Sequence, residues 1–152
     1  MSEVREMMIS TRGRYALRVM IDLAEHRECG YIPMKEVAKR QDISLKYLER
    51  ILPMLVKNEF VEGIHGKGGG YKLVCDPKEC TVGEILRVTE GDLAPVSCLS
   101  CKTEPCQNAS SCKIISMWNE FYHLTNQYFD GITISDLISE SDNMNTINER
   151  KE

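Results

Sequence analysis

Residues 34–74 read MKEVAKRQDISLKYLERILPMLVKNEFVEGIHGKGGGYKLV, and this stretch decides the fold. MKEVAKRQ is a short amphipathic segment after Pro33, and the turn Asp42-Ile43-Ser44 leads into LKYLERILPMLVKNEF. Ser44 is placed as an N-cap, its hydroxyl able to accept one of the orphan N–H groups of the helix start. Leu48, Ile51, Leu52 and Leu55 then recur at spacings of three and four and make one apolar stripe. Pro53 falls inside that helix, which predicts a kink or a tightened turn, because proline lacks the N–H and its ring crowds the preceding turn. Two short helices joined by a tight turn form a helix-turn-helix. FVEGIHGKGGGYKLV reads as two strands, 60–64 and 71–74, flanking the tip His65-Gly66-Lys67-Gly68-Gly69-Gly70. A hairpin directly after a helix-turn-helix is the layout of a winged helix. The expected class is mainly α: a winged helix-turn-helix with a small β-hairpin wing and a further long helix.

Working outward, Tyr15, Leu17, Val19, Met20, Leu23 and Ala24 recur at helical spacing upstream, with Ser10 or Thr11 as N-cap and Gly30 past the end. This predicts a first helix ending near Arg27. Downstream, Pro77 closes the unit, and Thr81-Val82-Gly83-Glu84 has the pattern of a capping box before Ile85, Leu86 and Val88. Residues 93–112 lack periodicity and hold Pro95 and Pro105, so they are a loop. Ile114, Met117, Trp118, Phe121, Leu124 and Tyr128 follow at helical spacing and predict a helix of about 17 residues. Thr133 and Asp136 are placed to cap a last short helix, DLIS, before the polar tail SDNMNTINERKE. The expected organisation is a DNA-binding domain over 1–80, a cysteine loop and dimerisation helices over 81–140, and a disordered tail over 141–152.

The 152 residues suit one domain, or one domain with a small dimerising appendage, and exclude a large multidomain enzyme. Hydrophobic residues at 42% and charged residues at 28% are enough for a packed core and too apolar for a disordered chain. No apolar run approaches the roughly 18 to 20 residues that span a bilayer, and MSEVREMMIS lacks the plan of a secretory signal, so a cytoplasmic protein is expected. The net charge of −4 is unevenly spread: residues 1–74 hold 13 Lys+Arg against 10 Asp+Glu, and residues 75–152 hold 6 against 13. A basic front and an acidic back would let one end face a polyanion.

The Gly-rich tip is not a phosphate loop of the Walker type, since Gly70 is followed by strand-like Tyr-Lys-Leu-Val instead of Lys-Ser/Thr opening a helix. Glycines at a hairpin tip allow close approach of backbone to a surface, and His65, Lys67 and Lys72 put donors on its flanks, which suits a DNA minor groove or backbone. At the start of the second helix of the pair, Ser44, Lys46, Tyr47, Glu49 and Arg50 sit at the end that meets base edges in helix-turn-helix proteins. Lys and Arg can bond guanine or phosphate, and Glu49 can accept from cytosine N4. The plainer alternative is a solvated charged face and a flexible hairpin.

Four of the seven cysteines, Cys98, Cys101, Cys106 and Cys112, fall within fifteen residues. A reducing compartment disfavours a disulfide framework for such a cluster and favours metal or redox chemistry. Thiolates on a proline-marked loop suit an iron–sulfur cluster or zinc. Cys98-Leu99-Ser100-Cys101 is one knuckle pair, but no second pair follows, so the zinc pattern is incomplete. Cys29, Cys75 and Cys80 are scattered and read as structural. His26 and His123 read as surface or packing residues.

The segment Ser10-Thr11-Arg12-Gly13-Arg14-Tyr15-Ala16, the stretch Ile43-Ser44-Leu45-Lys46-Tyr47-Leu48-Glu49, the wing Gly66-Lys67-Gly68-Gly69-Gly70-Tyr71 and the cysteine loop closing on Trp118 together resemble the bacterial winged-helix regulators typified by IscR, NsrR and CymR. The resemblance runs to about Leu137 and looks strongest to the cluster-binding, IscR-like members. It implies a non-enzymatic transcription regulator: a homodimer joined by the long helix after the cysteine loop, bound to near-palindromic double-stranded DNA and carrying an iron–sulfur cluster, 2Fe-2S in preference to 4Fe-4S. By position Cys98, Cys106 and Cys112 look like the three cluster cysteines, with Cys101 competing for the first place or serving as fourth ligand. It also implies DNA contacts by Ser44, Lys46, Tyr47, Glu49 and Arg50 and by His65, Lys67 and Gly68 of the wing. Two departures stand out. IscR-like members have a histidine three residues after the last cysteine, where this chain has Ile115, and NsrR-like members use an acid from the first helix near Arg14. CymR-like members lack the cysteines and regulate sulfur metabolism through a protein partner. A zinc- or thiol-based redox regulator of the same fold, and a sulfur-metabolism regulator acting through a partner, are the alternatives. An enzyme with a reactive cysteine is disfavoured, since no His and acid partners accompany any cysteine in sequence.

Overall fold

The computed structural model describes residues 9–100 and 107–140. The expected tail 141–152, Cys101 and Cys106 lie outside the described residues. The helices are α1 (Thr11–Glu25), α2 (Met34–Gln41), α3 (Leu45–Lys57), α4 (Val82–Glu90) and α5 (Ile115–Asp130), with residues 134–140 forming α6. Two strands, β1 (Val61–Ile64) and β2 (Gly70–Leu73), make the one antiparallel hairpin among the described residues, in the register Val61↔Leu73 to Ile64↔Gly70. No described helix is long and apolar enough to cross a membrane.

The caps fall where the side chains can serve them. Ser10 accepts from the Gly13 N–H, Ser44 accepts from the Tyr47 N–H, and Thr81 with Glu84 forms a complete capping box. Thr133 and Asp136 exchange side-chain to backbone bonds at 2.9 and 3.1 Å, which starts α6. The first helix stops two residues before the expected Arg27. The His26 N–H still bonds back to the Asp22 carbonyl, and the chain then tightens into a 3-10 turn over Arg27–Cys29. Gly30, the expected stop, follows that turn at φ 73. α3 runs unbroken through Pro53, which sits on the exposed side of the helix.

β1 starts one residue late, at Val61, and ends at the expected Ile64, while β2 is shifted by one residue, running from Gly70 to Leu73. At β2 a third segment joins the hairpin. Ile32 exchanges backbone bonds with Tyr71 at 2.8 and 2.9 Å, and a Cβ on Gly70 would lie 2.4 Å from the Ile32 carbonyl. Only glycine lets the hairpin close on that segment, so the wing is docked on the chain entering α2.

One core joins the helix-turn-helix to everything around it. Ala16, Val19, Met20 and Leu23 of α1 meet Val37 of α2 and Leu48, Ile51, Leu52 and Leu55 of α3, together with Ile85 of α4. Ile134 is fully buried in the same core, carried there by backbone bonds of residues 132–135 with residues 77–82. A second, smaller core of Val82, Leu86 and Leu93 receives Tyr122 and Phe129 from α5. Burying each large aliphatic side chain contributes roughly 1.5–3 kcal/mol. The α4–α5 contact is fixed at its edge by Arg87, which donates to both carboxylate oxygens of Asp130 at 2.5 and 2.6 Å.

Candidate nucleic-acid interface and cysteine loop

The helix-turn-helix turn is made by Asp42 in a left-handed conformation (φ 53), with the Ile43 N–H bonding to the Ala38 carbonyl. Ile43 is buried, which pins the turn to the core and leaves Asp42 and Ser44 outside. Of the five residues singled out at the start of α3, Ser44, Lys46, Glu49 and Arg50 are exposed. Tyr47 is half-buried instead. Its ring meets Tyr15 of α1 edge-on, at 5.3 Å between centroids, and Arg18 stands over the other aromatic. Tyr47 therefore holds the two helices together as well as facing outward.

An open groove runs beside this end of α3, lined by Ser10, Thr11 and Arg12 of the α1 start and by Tyr47, Arg50, Ile51 and Met54. Arg12 is exposed there beside Arg50. In the sequence Arg12 stands out only within the segment Ser10–Ala16. The signal that would have found it is the pair Arg12 and Arg14 in the first turn of a helix that carries no acid there.

At the wing, His65, Lys67 and Gly68 are all exposed, and Gly66 and Gly68 have positive φ (94 and 79). The tip closes through the Gly69 N–H on the Gly66 carbonyl at 3.0 Å. Lys72, expected as a further free donor, is engaged. It pairs with Glu62 at 3.0 Å and lies 4.9 Å from the Tyr31 ring centroid, while the Tyr31 hydroxyl donates to the same carboxylate. Those bonds hold Glu62 below the usual carboxylate range and raise Lys72.

The cysteine loop leaves α4 at Gly91 and returns at α5. Cys98 is exposed in a 3-10 turn, Ser97–Leu99, and Cys112 is half-buried three residues before α5. Neither is in a disulfide. Asp92 organises the departure, its carboxylate accepting from the Ala94 N–H at 3.1 Å and the Ser100 hydroxyl at 2.7 Å. Among the described residues no group of three or more His, Cys, Asp or Glu converges on a metal position. Cys98 and Cys112 are thiols, a donor type that suits a soft metal or an iron–sulfur cluster, whereas Ile115 offers no ligand atom.

The base of that loop is tied to the groove. Glu90, the last residue of α4, accepts from both the backbone N–H of Ser10 at 3.0 Å and its hydroxyl at 2.5 Å. Ser10 is the N-cap of α1 and part of the groove wall.

Comparison with known proteins gives one family and consistent relatives. A family model described as Rrf2, iron-dependent transcriptional regulator, matches residues 9–140. The HTH-type transcriptional regulator IscR of Serratia proteamaculans is 32% identical over 136 residues, covering 90% of this chain and 82% of the relative. Among solved structures, IscR of T. potens is 29% identical, covers 88% of each chain and superposes with a TM-score of 0.67. CymR, the global cysteine regulator of B. subtilis, is 33% identical, covers 88% of this chain and 97% of the other, and has a TM-score of 0.71.

Proposed function

The chain belongs to the Rrf2 family of transcriptional regulators, and from that premise we propose that it is an operator-binding homodimer whose DNA affinity is set by an iron–sulfur cluster on the cysteine loop. As a member of a family of regulators it is not an enzyme. The observation that carries the proposal is the Glu90–Ser10 link, which joins the base of the cysteine loop to the groove wall beside α3.

In this reading the exposed start of α3 enters a major groove. Lys46 and Arg50 donate to bases or phosphates, Glu49 rejects sequences that bring an acceptor against it, and the Ser44 cap fixes the helix end. The wing carries His65, Lys67 and Gly68 to the adjacent backbone, where the glycine-rich tip lets the chain approach phosphates closely. Arg12 adds a positive charge on the near side.

α5 presents Phe121, Leu124 and Tyr128 at 40%, 54% and 66% exposure, with Ile114 and Met117 on the same face. Of the two neighbours expected at this spacing, Trp118 is half-buried and Met117 is exposed. A contiguous apolar face of this kind on a helix supports a two-fold dimer through α5, which would space two winged helices for a near-palindromic site.

Cys98, Cys106 and Cys112, with Cys101, would hold the cluster, which supplies oxidation-state and assembly sensitivity when bound. What this chain contributes is a loop that leaves α4 and returns at α5, so that ligand binding on it would bear on Glu90 at one end and the dimer helix at the other. The deciding experiment is anaerobic purification with a visible spectrum and iron, sulfide and zinc analysis. The proposal expects brown protein with matched iron and sulfide. Colourless protein with stoichiometric zinc would replace it with a zinc-thiolate regulator.

A further inference from the structure

One stripe of α1 grips both ends of the helix-turn-helix turn. Tyr15, Arg18 and Asp22 are spaced by three and four residues, which sets them on one face of the helix. Each meets a different part of the motif. The Asp22 carboxylate accepts from the side-chain amide of Gln41, the last residue of α2, at 2.9 Å. Arg18 donates through Nε to the Gln41 side-chain oxygen at 3.3 Å and through Nη2 to the Gln41 carbonyl. Tyr15 meets the ring of Tyr47, in the first turn of α3, edge-on at 5.3 Å.

Arg18 joins the two grips. Its guanidinium lies 5.4 Å from the centroid of Tyr15, so one side chain holds the end of α2 by hydrogen bonds and the aromatic pair by its cationic face. The chain between Gln41 and Tyr47 contains left-handed Asp42, buried Ile43 and the α3 cap Ser44, whose bonds set the path of the backbone. The tilt of the Tyr47 ring, which shares the groove wall with Arg50, is set by its contact with Tyr15. A recognition side chain keeps its aim only when neighbours lock its rotamer. Arg18 itself is half-buried with its fork spent on Gln41, so it acts through these neighbours.

We propose that Arg18 is a positioning residue for operator recognition: by clamping Gln41 and the Tyr15 ring together, it fixes the pose of Tyr47 at the reading end of α3. The inference rests on the reading of that helix start as the end that meets base edges. Lysine cannot take the place of Arg18 in this role. An ammonium is a point charge without the planar fork, and it cannot bond both Gln41 oxygens while covering the Tyr15 ring. A contact to a DNA phosphate, by contrast, is served by either residue. That difference separates positioning from direct contact.

The test titrates the full chain against a duplex selected from a randomised library and against a scrambled duplex of the same length and composition, at two salt concentrations. Discrimination is the ratio of the two dissociation constants. Arg18→Lys should lower it about tenfold, within the range for side chains that act through one another, and leave scrambled-duplex affinity and salt slope unchanged. Tyr15→Leu should lower discrimination similarly, and Tyr15→Phe, which restores the ring, should recover it. In a Tyr47→Ala background Arg18→Lys should change discrimination by less than about twofold, because the group it aims is gone. Circular dichroism checks the fold of each variant, and Tyr15→Leu carries the test should Arg18→Lys not fold. Arg50→Ala is the control for the reading of α3. If it lowers discrimination while Arg18→Lys and Tyr15→Leu do not, the positioning role is overturned and the reading stands. If Arg50→Ala also leaves discrimination unchanged, the reading falls and the inference with it. Additive effects of Arg18→Lys and Tyr47→Ala overturn the role too, as does a lower urea midpoint with unaltered discrimination.

Discussion

The carboxylate of Asp22 on α1 receives the guanidinium of Arg40 on α2 through two bonds, at 3.0 and 2.7 Å, where Asp22 is only 1% exposed. Gln41 adds a third bond at 2.9 Å, and Arg18 reaches across to the Gln41 carbonyl. The first helix is therefore locked to the helix-turn-helix by a satisfied buried network. Burial pushes the Asp22 carboxyl up, but the bonds from Arg40 and Gln41 outweigh it and hold the carboxyl below its ordinary value.

Because the folded carboxyl is depressed, its contribution is complete above the ordinary value of 3.8 and is lost as pH falls through the lower folded value. Urea midpoints of the wild type should fall in that acid range more steeply than those of Asp22→Asn. Arg40→Ala should cost about 2–3 kcal/mol near pH 7, below the roughly 3–5 kcal/mol of a fully buried pair, because Gln41 remains and Arg40 is partly solvated. A change under about 0.5 kcal/mol, the size of an ordinary surface substitution, would show the network to be dispensable.

The cluster reading predicts that Cys98→Ala, Cys106→Ala or Cys112→Ala loses iron while the circular dichroism of a folded protein persists, since the cores described contain none of these residues. Cys29→Ala should retain iron. Full iron content in the Cys106 or Cys112 variant would remove the ligand assignment, and iron loss in Cys101→Ala would identify the fourth ligand.

Leu124→Asp places a charge in the middle of the exposed face of α5 without touching the core beneath α4. Sedimentation at micromolar concentration should show the wild type as a dimer and this variant as a folded monomer. A wild-type monomer would withdraw the two-half-site arrangement.

On DNA, Lys67→Ala should weaken binding to many sequences alike and lower the salt slope by about one unit, as loss of one phosphate contact does. Arg50→Ala should cost roughly 1–3 kcal/mol and relax preference at one base position, and Glu49→Ala should admit sequences the wild type refuses. Titrations against a randomised operator library at two salt concentrations separate these effects. If Lys67→Ala changed sequence preference while the α3 variants did not, the roles of wing and helix would be reversed.

What the sequence by itself determined is what local hydrogen bonding and side-chain period control. Ser44 caps α3 and Thr81 with Glu84 caps α4 because donor and acceptor lie within three residues, and Leu48, Ile51, Leu52 and Leu55 share a face because the helix repeats every 3.6 residues. The winged-helix order followed from such segments, and the cysteine count of the loop marked the candidate site before any geometry. Only the tertiary structure decided the contacts between distant segments. Ser10 and Glu90 are eighty residues apart, Lys72 is occupied by Glu62 and Tyr31, β2 begins at Gly70, which meets Ile32, and Ile134 returns to a core built mostly before residue 86. No periodicity encodes these meetings, because each depends on how several loops close at once, and a side chain's partners exist only after the chain has been brought back on itself.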